Sequence, residues 1–252
     1  NFRLHKADII QSRACSVFAN DVVKIKLVGS VHDIDTEQKS FSPLFTHQIF
    51  GQREEITGYV NPKVEILYAS NSLRPLIRFS STSRHSEQML QEHGLNATDV
   101  VNCIKRFVPC DYLSSTEDLR SELAKNPMQE IGLKVGGYNI SHVVPRSMNE
   151  KETLAEDQFE FYFSSLENPE VHQFANRLQS LAMWMIEKSS YIKADPNWKL
   201  LTLYRRLKQK ETKSQGNDGD SAQQADLELV GFVTIYKYLC AKDCILGKTK
   251  CK

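Results

Sequence analysis

Hydrophobic and polar positions change period several times along this chain, and each change marks an element. Val23, Ile25 and Leu27 alternate with other residues, the period of a half-buried strand. Val64 to Tyr68 and Leu76 to Phe79 read as two more strands. An aromatic-rich segment, Phe41 to Phe50, lies between the first and second and is closed by Gly51. The middle turns helical. Ser83 to His93 is polar and ends before Gly94, a C-cap residue. Val100, Val101, Ile104 and Val108 follow at helical spacing until Pro109 stops them. Ser115-Thr116-Glu117-Asp118 opens another short helix, and Asn126-Pro127 closes it. Short strands are expected at Leu133 to Val135 and Ile140 to Val144, and Phe159, Phe161 and Phe163 alternate in a further one.

The most ordered block runs from Asn168 to Tyr238. Asn168-Pro169-Glu170 supplies an N-cap, a proline at the first helical position and an acid in the first turn. Val171, Phe174, Leu178, Leu181, Met185 and Ile186 then form the apolar face of a helix ending around Glu187. Two strands are expected next, Trp198 to Leu207 and Leu229 to Leu239. Simple alternation puts Val230, Phe232, Thr234, Tyr236 and Tyr238 on one face of the second. Leu229, Val233, Ile235, Lys237 and Leu239 take the other. Lys208 to Asp226 is nearly free of apolar residues and cannot offset its own ordering entropy. It is expected to be a disordered hairpin loop, with an interdomain linker as the alternative. Strands and helices mixed without a regular βαβ repeat give an α+β fold class.

Composition narrows the function. The 252 residues suffice for two modest domains or one large one. Lys and Arg number 32 against 31 Asp and Glu, so there is no electrostatic footprint for wrapping nucleic acid, and no direct nucleic-acid partner is expected. No apolar run approaches the length that spans a bilayer, so no membrane partner is expected either. No signal peptide is visible, and the first residue is Asn1 rather than Met, so the chain is expected to be a fragment or to lack its start. The six cysteines form no CxxC pair and no zinc spacing, and no metal is expected. Cys240-x3-Cys244-x6-Cys251 leaves a metal knuckle open beside the simpler reading as free thiols.

Two features carry candidate chemistry. Glu187 is an acid at a helix C-terminus, facing the negative end of the macrodipole at a cost of about 0.3–1 kcal/mol. That placement suits a proton acceptor, and a plain surface Glu beside Lys188 is the alternative. Tyr236-Lys237-Tyr238, at the end of the last strand, reads as a peptide-binding edge or as half-buried strand tyrosines.

The residues Arg177 to Glu187, with Ser190-Tyr191-Ile192 and Trp198 behind them, resemble the helix-to-strand segment of the type B histone acetyltransferase catalytic subunit. Val230 to Tyr238 resembles that family's next strand. Phe45-Thr46-His47-Gln48-Ile49-Phe50-Gly51, with Gly58-Tyr59, resembles a signature of its amino-terminal domain. The three blocks come in the family's order across most of residues 20 to 240. The resemblance implies a mixed amino-terminal domain, residues 20–187 after an extension at 1–19, followed by a GNAT-type acetyltransferase domain. Of the latter, residues 188–252 would be an incomplete part with its loop at 208–226.

It also implies transfer of acetyl from acetyl-CoA to lysines of the histone 4 tail, a WD40-repeat histone-binding partner, and a place in nucleus and cytoplasm. By the same resemblance, Glu187 helps to deprotonate the substrate lysine. Gln52, Arg53 and Glu54 fall on one histone-tail contact and Tyr236, Lys237 and Tyr238 on another. Gln52 and Arg53 replace residues that are acidic in the family. The chemistry is coherent, because a free lysine, with a pKa near 10.4, must lose a proton before it attacks a thioester. GNAT proteins bind the cofactor pyrophosphate with a Gln/Arg-x-x-Gly-x-Gly/Ala turn. After Tyr238 this chain has one glycine, Gly247, so no acetyl-CoA-binding residue is assigned. The chain is therefore expected to be carboxyl-terminally truncated and inactive alone, with an open edge on its last hairpin. A non-catalytic histone- or chaperone-binding module is the alternative.

Overall fold

The computed structural model describes residues 15–36, 40–108, 111–125, 132–144, 153–206, 227–238 and 250–251. Helices and strands are mixed in an α+β arrangement, as the periodicity indicates. The chain forms two compact units, Asn1–Asn126 with Asn176–Ile192, and Pro127–Ala175 with Lys193–Lys252.

In the first unit, β1 (Ser16–Phe18) and α1 (Ala19–Val22) lead into β2 (Val23–Val28). Then come β3 (Ser40–Phe41), α2 (His47–Phe50), β4 (Glu55–Thr57), β5 (Tyr59–Val60), β6 (Lys63–Ala69), β7 (Pro75–Ser80) and β8 (Ser83–Arg84). Three helices follow, α3 (Glu87–Glu92), α4 (Val100–Phe107) and α5 (Thr116–Leu123). The main sheet has the order β3-β2-β6-β7, with β2 and β6 parallel and the other pairs antiparallel. Val28, Ile34, Leu67, Ala69, Leu76, Leu113 and Leu119 form one buried cluster, with Leu123 of α5 packed on it. Each such side chain contributes about 1.5–3 kcal/mol through burial.

Local capping explains where the helices start. Ser86, Asp99 and Ser115 each accept a backbone N–H three residues on, at 3.2, 3.3 and 3.0 Å. Ser86 also accounts for a departure from the sequence pattern. The helix expected from Ser83 begins after Ser86, while Ser83 and Arg84 pair with Val60 and Tyr59. Gly94 has φ +63° just past α3, the left-handed conformation of a C-terminal glycine. Strand β2 departs too. Val23 and Ile25 are buried, but Leu27 is 42% exposed and Lys26 only 4%.

The second unit holds β9 (Leu133–Val144), β10 (Thr153–Ser165), the first turns of α6 (Pro169–Met185), β11 (Trp198–Arg206), β12 (Leu227–Tyr238) and β13 (Lys250–Cys251). Its antiparallel sheet has the order β13-β12-β11-β10-β9. The two short strands expected between 133 and 144 are one strand with Gly136 and Gly137 in its middle. At Gly137 a Cβ would lie 2.8 Å from the Phe159 carbonyl oxygen, so the close approach of β9 to β10 needs glycine there.

Alternation along β10 holds, but its polar face is the buried one. Glu160 and Ser164 are 5% and 6% exposed, whereas Phe163 is 37% exposed. In β12 a bulge changes the expected faces. Leu229 pairs with Tyr204 and Gly231 with Leu203, which leaves Val230 as the extra residue. Leu229 therefore joins Phe232, Thr234 and Tyr236 on the face carrying Tyr204, Thr202, Leu200 and Trp198. The simple alternation had put it opposite. Strand β13 pairs only with Lys237 and Tyr238 at the end of β12. The segments 208–226 and 239–249, with Gly247, lie outside the described residues.

Candidate functional site

The candidate residues divide between the units: Gln52, Arg53, Glu54 and Glu187 are in the first, Tyr236, Lys237 and Tyr238 in the second. In the first, the loop before β4 is built around one carboxylate. A helix as short as α2 leaves most of its N–H groups without helical partners. The Glu54 Oε1 accepts the Thr46 and His47 N–H groups, both at 2.8 Å, and so caps α2 from the far end of the loop. Negative charge at this end is also favoured by the peptide dipoles. Glu54 is in the left-handed region, φ +54°. It is held there by its own N–H on the Gly51 carbonyl (2.8 Å) and by the Ala19 N–H on its carbonyl (2.7 Å). Asn20 of α1 completes the frame, donating to the Leu44 carbonyl at 3.0 Å and accepting from the Thr46 hydroxyl. Gln52 and Arg53 are left exposed at the tip. Glu54 is thus a structural keystone of the contact that sequence assigns to it, while its two neighbours are the side chains presented outward.

The same loop is tied to the end of α6. The Trp184 carbonyl accepts the Leu44 N–H at 2.9 Å and the Phe45 N–H at 3.2 Å. Trp184 is itself fully buried, and its indole N–H donates to the Tyr68 hydroxyl at 3.3 Å. The Ser180 and Tyr68 hydroxyl oxygens are hydrogen-bonded at 3.0 Å, and Arg177 pairs with Asp111 at 3.2 Å. Asn168 caps the start of α6 as expected, its Oδ1 accepting from the Glu170 N–H at 2.9 Å. Helical bonding continues one residue past Met185, with the Ile186 N–H on the Ala182 carbonyl at 2.8 Å. Lys188, at φ +59°, then turns the chain away. Glu187 lies in that turn, and its side chain is exposed. Behind it, the Gln179 side chain accepts the Ile192 N–H at 2.8 Å and fixes the path of the turn's exit. The result is an exposed carboxylate in the turn after α6, three residues from the carbonyl that anchors the 44–54 loop.

In the second unit, the Tyr236 ring packs on Trp198 with centroids 4.9 Å apart. Lys237 is exposed on the opposite face, its N–H donating to the Asn197 carbonyl at 2.9 Å. Tyr238 is half-buried beside β13.

Sequence reasoning missed the most polarised group in this sheet. Glu160 receives Lys134 Nζ at 2.8 Å, the Tyr162 hydroxyl at 2.8 Å and the Arg206 guanidinium. Burial acts to raise its pKa, but the hydrogen bonds from Lys134, Arg206 and Tyr162 prevail and hold it down to about 2. Burial, then the Glu160 charge, pushes the Tyr162 phenol up to about 12. No local motif signals this cluster, because its cations come from β9 and β11 through strand register alone.

Among the described residues no group of three or more His, Cys, Asp or Glu is placed to hold a metal. Cys15 is buried, and burial pushes the half-buried Cys103 thiol up. Cys110, Cys240 and Cys244 lie outside the described residues. No described helix is long and apolar enough to cross a membrane.

The family described as "Histone acetyl transferase HAT1 N-terminus" matches residues 15–187. The histone acetyltransferase type B catalytic subunit of Mus musculus is 26% identical over 225 residues, covering 89% of this chain and 49% of the mouse protein. The Homo sapiens subunit is likewise 26% identical, over 89% of this chain and 48% of its own length. A subunit of the same name from Dictyostelium discoideum is 27% identical over 208 residues, 75% of this chain and 41% of that protein. The chain thus spans about half the length of the relatives it matches. The match from Cys15 to Glu187 takes in the loop that Glu54 caps and the helix that ends before Glu187, and by it the chain belongs to the family of type B histone acetyltransferase catalytic subunits, through their amino-terminal domain.

Proposed function

We propose that this chain is the substrate-side part of a histone acetyltransferase that moves acetyl from acetyl-CoA to lysines of the histone 4 tail. Gln52 and Arg53 meet the tail at the tip of the loop that Glu54 holds in shape. Tyr236, Lys237 and Tyr238 form a second contact. Glu187 takes part in removing the proton from the lysine ammonium, the step without which the nitrogen lone pair cannot attack the thioester carbonyl. Acetyl-CoA supplies the activated acyl group. The observation that best supports this is the exposed Glu187 carboxylate, on a helix end bonded through Trp184 to the 44–54 loop. Exposure keeps it open to a substrate, and the turn that carries it follows directly on the anchored helix end. A WD40-repeat histone-binding partner and residence in nucleus and cytoplasm belong to the same proposal, on the strength of the family resemblance.

Within its 252 residues the chain has one glycine beyond Tyr238, where a pyrophosphate-binding turn needs several. By itself it is expected to bind the tail without turnover, the behaviour of a binding module. Two measurements test this. The first is labelled acetyl-CoA turnover on a histone 4 tail peptide, for this chain and for a relative of full length. The second is peptide binding to the chain by fluorescence anisotropy. Binding without turnover by the chain, with a large loss of kcat for the full-length protein altered at the position of Glu187 to Gln, supports the assignment. Absence of peptide binding, or an unchanged kcat, overturns it.

A further inference from the structure

One face of the β3-β2-β6-β7 sheet carries an unusual set of charges. Register puts Lys24 beside Glu65, and Lys26 between Ser40 and Leu67. Lys63 precedes Glu65 on the same face of β6. A pocket of about 350 Å³ opens on this face, bounded by Asp21 and Val22 of α1, by Lys24, Lys26, Lys63 and Glu65, and floored by Leu67 and Pro62.

Among the described residues, the carboxylates on this face do not pair with Lys24 or Lys26. Glu65 is taken up by Lys63 at 3.3 Å and Arg78 at 4.0 Å. Asp21 is exposed, so solvent screens it. Lys24 donates to the Ser42 hydroxyl at 2.7 Å. Lys26, 4% exposed, donates to the Asp33 and Thr36 carbonyls, with the Thr36 hydroxyl at 3.3 Å. Among the described residues, then, two neighbouring ammonium groups have only neutral oxygens as partners. Carbonyl dipoles satisfy the hydrogen bonds of a buried cation but do not neutralise it, and such a site gains from an anion. The three protons of Lys26 are already committed, so it contributes field. Lys24 has one proton bonded to Ser42 and two left to donate. The partly exposed Val22 offers an organic body an apolar contact.

We infer that this pocket binds a small organic phosphate, with Lys24 as the direct donor and Lys26 as a buried counter-charge. Phosphate suits the site better than a monocarboxylate, because two point charges face it and ammonium groups bind phosphate without needing a planar, bidentate geometry. The inference is independent of the acetyl-transfer proposal, since none of the histone-contact residues line the pocket.

The test uses the chain as it stands, at fixed ionic strength set with chloride, with inorganic phosphate and phenyl phosphate as probes in isothermal titration. Both should bind saturably, phenyl phosphate more tightly because of Val22. Lys24→Gln should weaken both by roughly tenfold or more, the scale of one charge-assisted contact. Lys24→Arg should keep most of the affinity. Lys24 is a half-exposed side chain at the sheet surface, so neither variant threatens folding, and melting curves without ligand check this. Binding that is absent in the unaltered chain, or equal in the chain and Lys24→Gln, overturns the inference.

Discussion

Replacing Glu160 by Gln tests whether the second sheet is held by a buried charge cluster. The amide keeps the shape of the side chain and removes its charge. In the folded chain Glu160 is 5% exposed and its pKa is held to about 2, against 4.5 for the ordinary carboxyl. A gap of about 2.5 units corresponds to roughly 3 kcal/mol at neutral pH. That figure is an upper bound, because the side chains of Lys134 and Arg206 are 50% and 39% exposed and regain water when the carboxylate is lost. A loss of about 1–3 kcal/mol is the working expectation.

The sign of the pH dependence follows from the direction of the shift. A lowered carboxyl pKa stabilises the fold fully above about 4.5, and the contribution fades as pH falls through the folded value near 2. Urea unfolding of both proteins at pH 7, 5 and 3, followed by far-UV circular dichroism and by tryptophan fluorescence, measures the gap. It should be full at pH 7 and fall to roughly half or less by pH 3. A gap that stays constant with pH would mean that packing, not charge, is lost. A gap below about 0.5 kcal/mol at pH 7 would show that the cations merely lie near an already solvated group.

The remaining predictions concern the first unit. Tyr68→Phe removes the acceptor of the Trp184 indole N–H, which is fully buried, and should cost about 1–3 kcal/mol in chemical unfolding. The Ser180 hydroxyl loses less, because it also donates to the Arg177 carbonyl at 2.6 Å. A cost near zero would mean that the indole finds another partner. Glu54→Ala should lower stability by about 1 kcal/mol, the usual cost of a lost helix cap, and weaken histone-tail binding by disordering the loop. Gln52→Ala should weaken tail binding while leaving stability within about 0.5 kcal/mol. If Glu54→Ala left stability untouched, its carboxylate would be a contact group rather than a cap.

What was legible in the sequence was chemistry acting over a few residues. Asn168-Pro169 announces the start of α6, and Ser115 the start of α5, because an N-cap bonds within its own turn. The presence of strands at 23–28, 63–69 and 75–80 was equally plain from their period. Which face of a strand becomes the core was not legible, because that depends on what packs against it. Phe159, Phe161 and Phe163 look like a core face, yet Glu160 and Ser164 are the buried pair. The bulge at Val230 follows from pairing with β11 and leaves no mark in the local pattern. For the candidate site, resemblance is what points to the 52–54 loop and Glu187. It could not separate the side chains presented outward from the one that builds the loop, since Glu54 reaches back seven and eight residues to its partners.

Glu160 and Lys26 pose the same electrostatic problem, a charge on a buried strand position, and the two sheets solve it differently. Around Glu160, two cations and a phenol converge on one carboxylate, so its charge is compensated from within and stabilises its own sheet. An added ion would only compete. Around Lys26, the described partners are carbonyl and hydroxyl oxygens, which orient the ammonium without cancelling it. Its field therefore reaches the pocket, where Lys24 stands on the same face. Full internal compensation marks a structural charge, and incomplete compensation beside a cavity marks a binding one. The placement of α1 gives this difference a further consequence. Asn20 holds the 44–54 loop through Leu44 and Thr46, while Asp21 and Val22 border the pocket. The pocket wall and the loop frame thus share the four residues of α1.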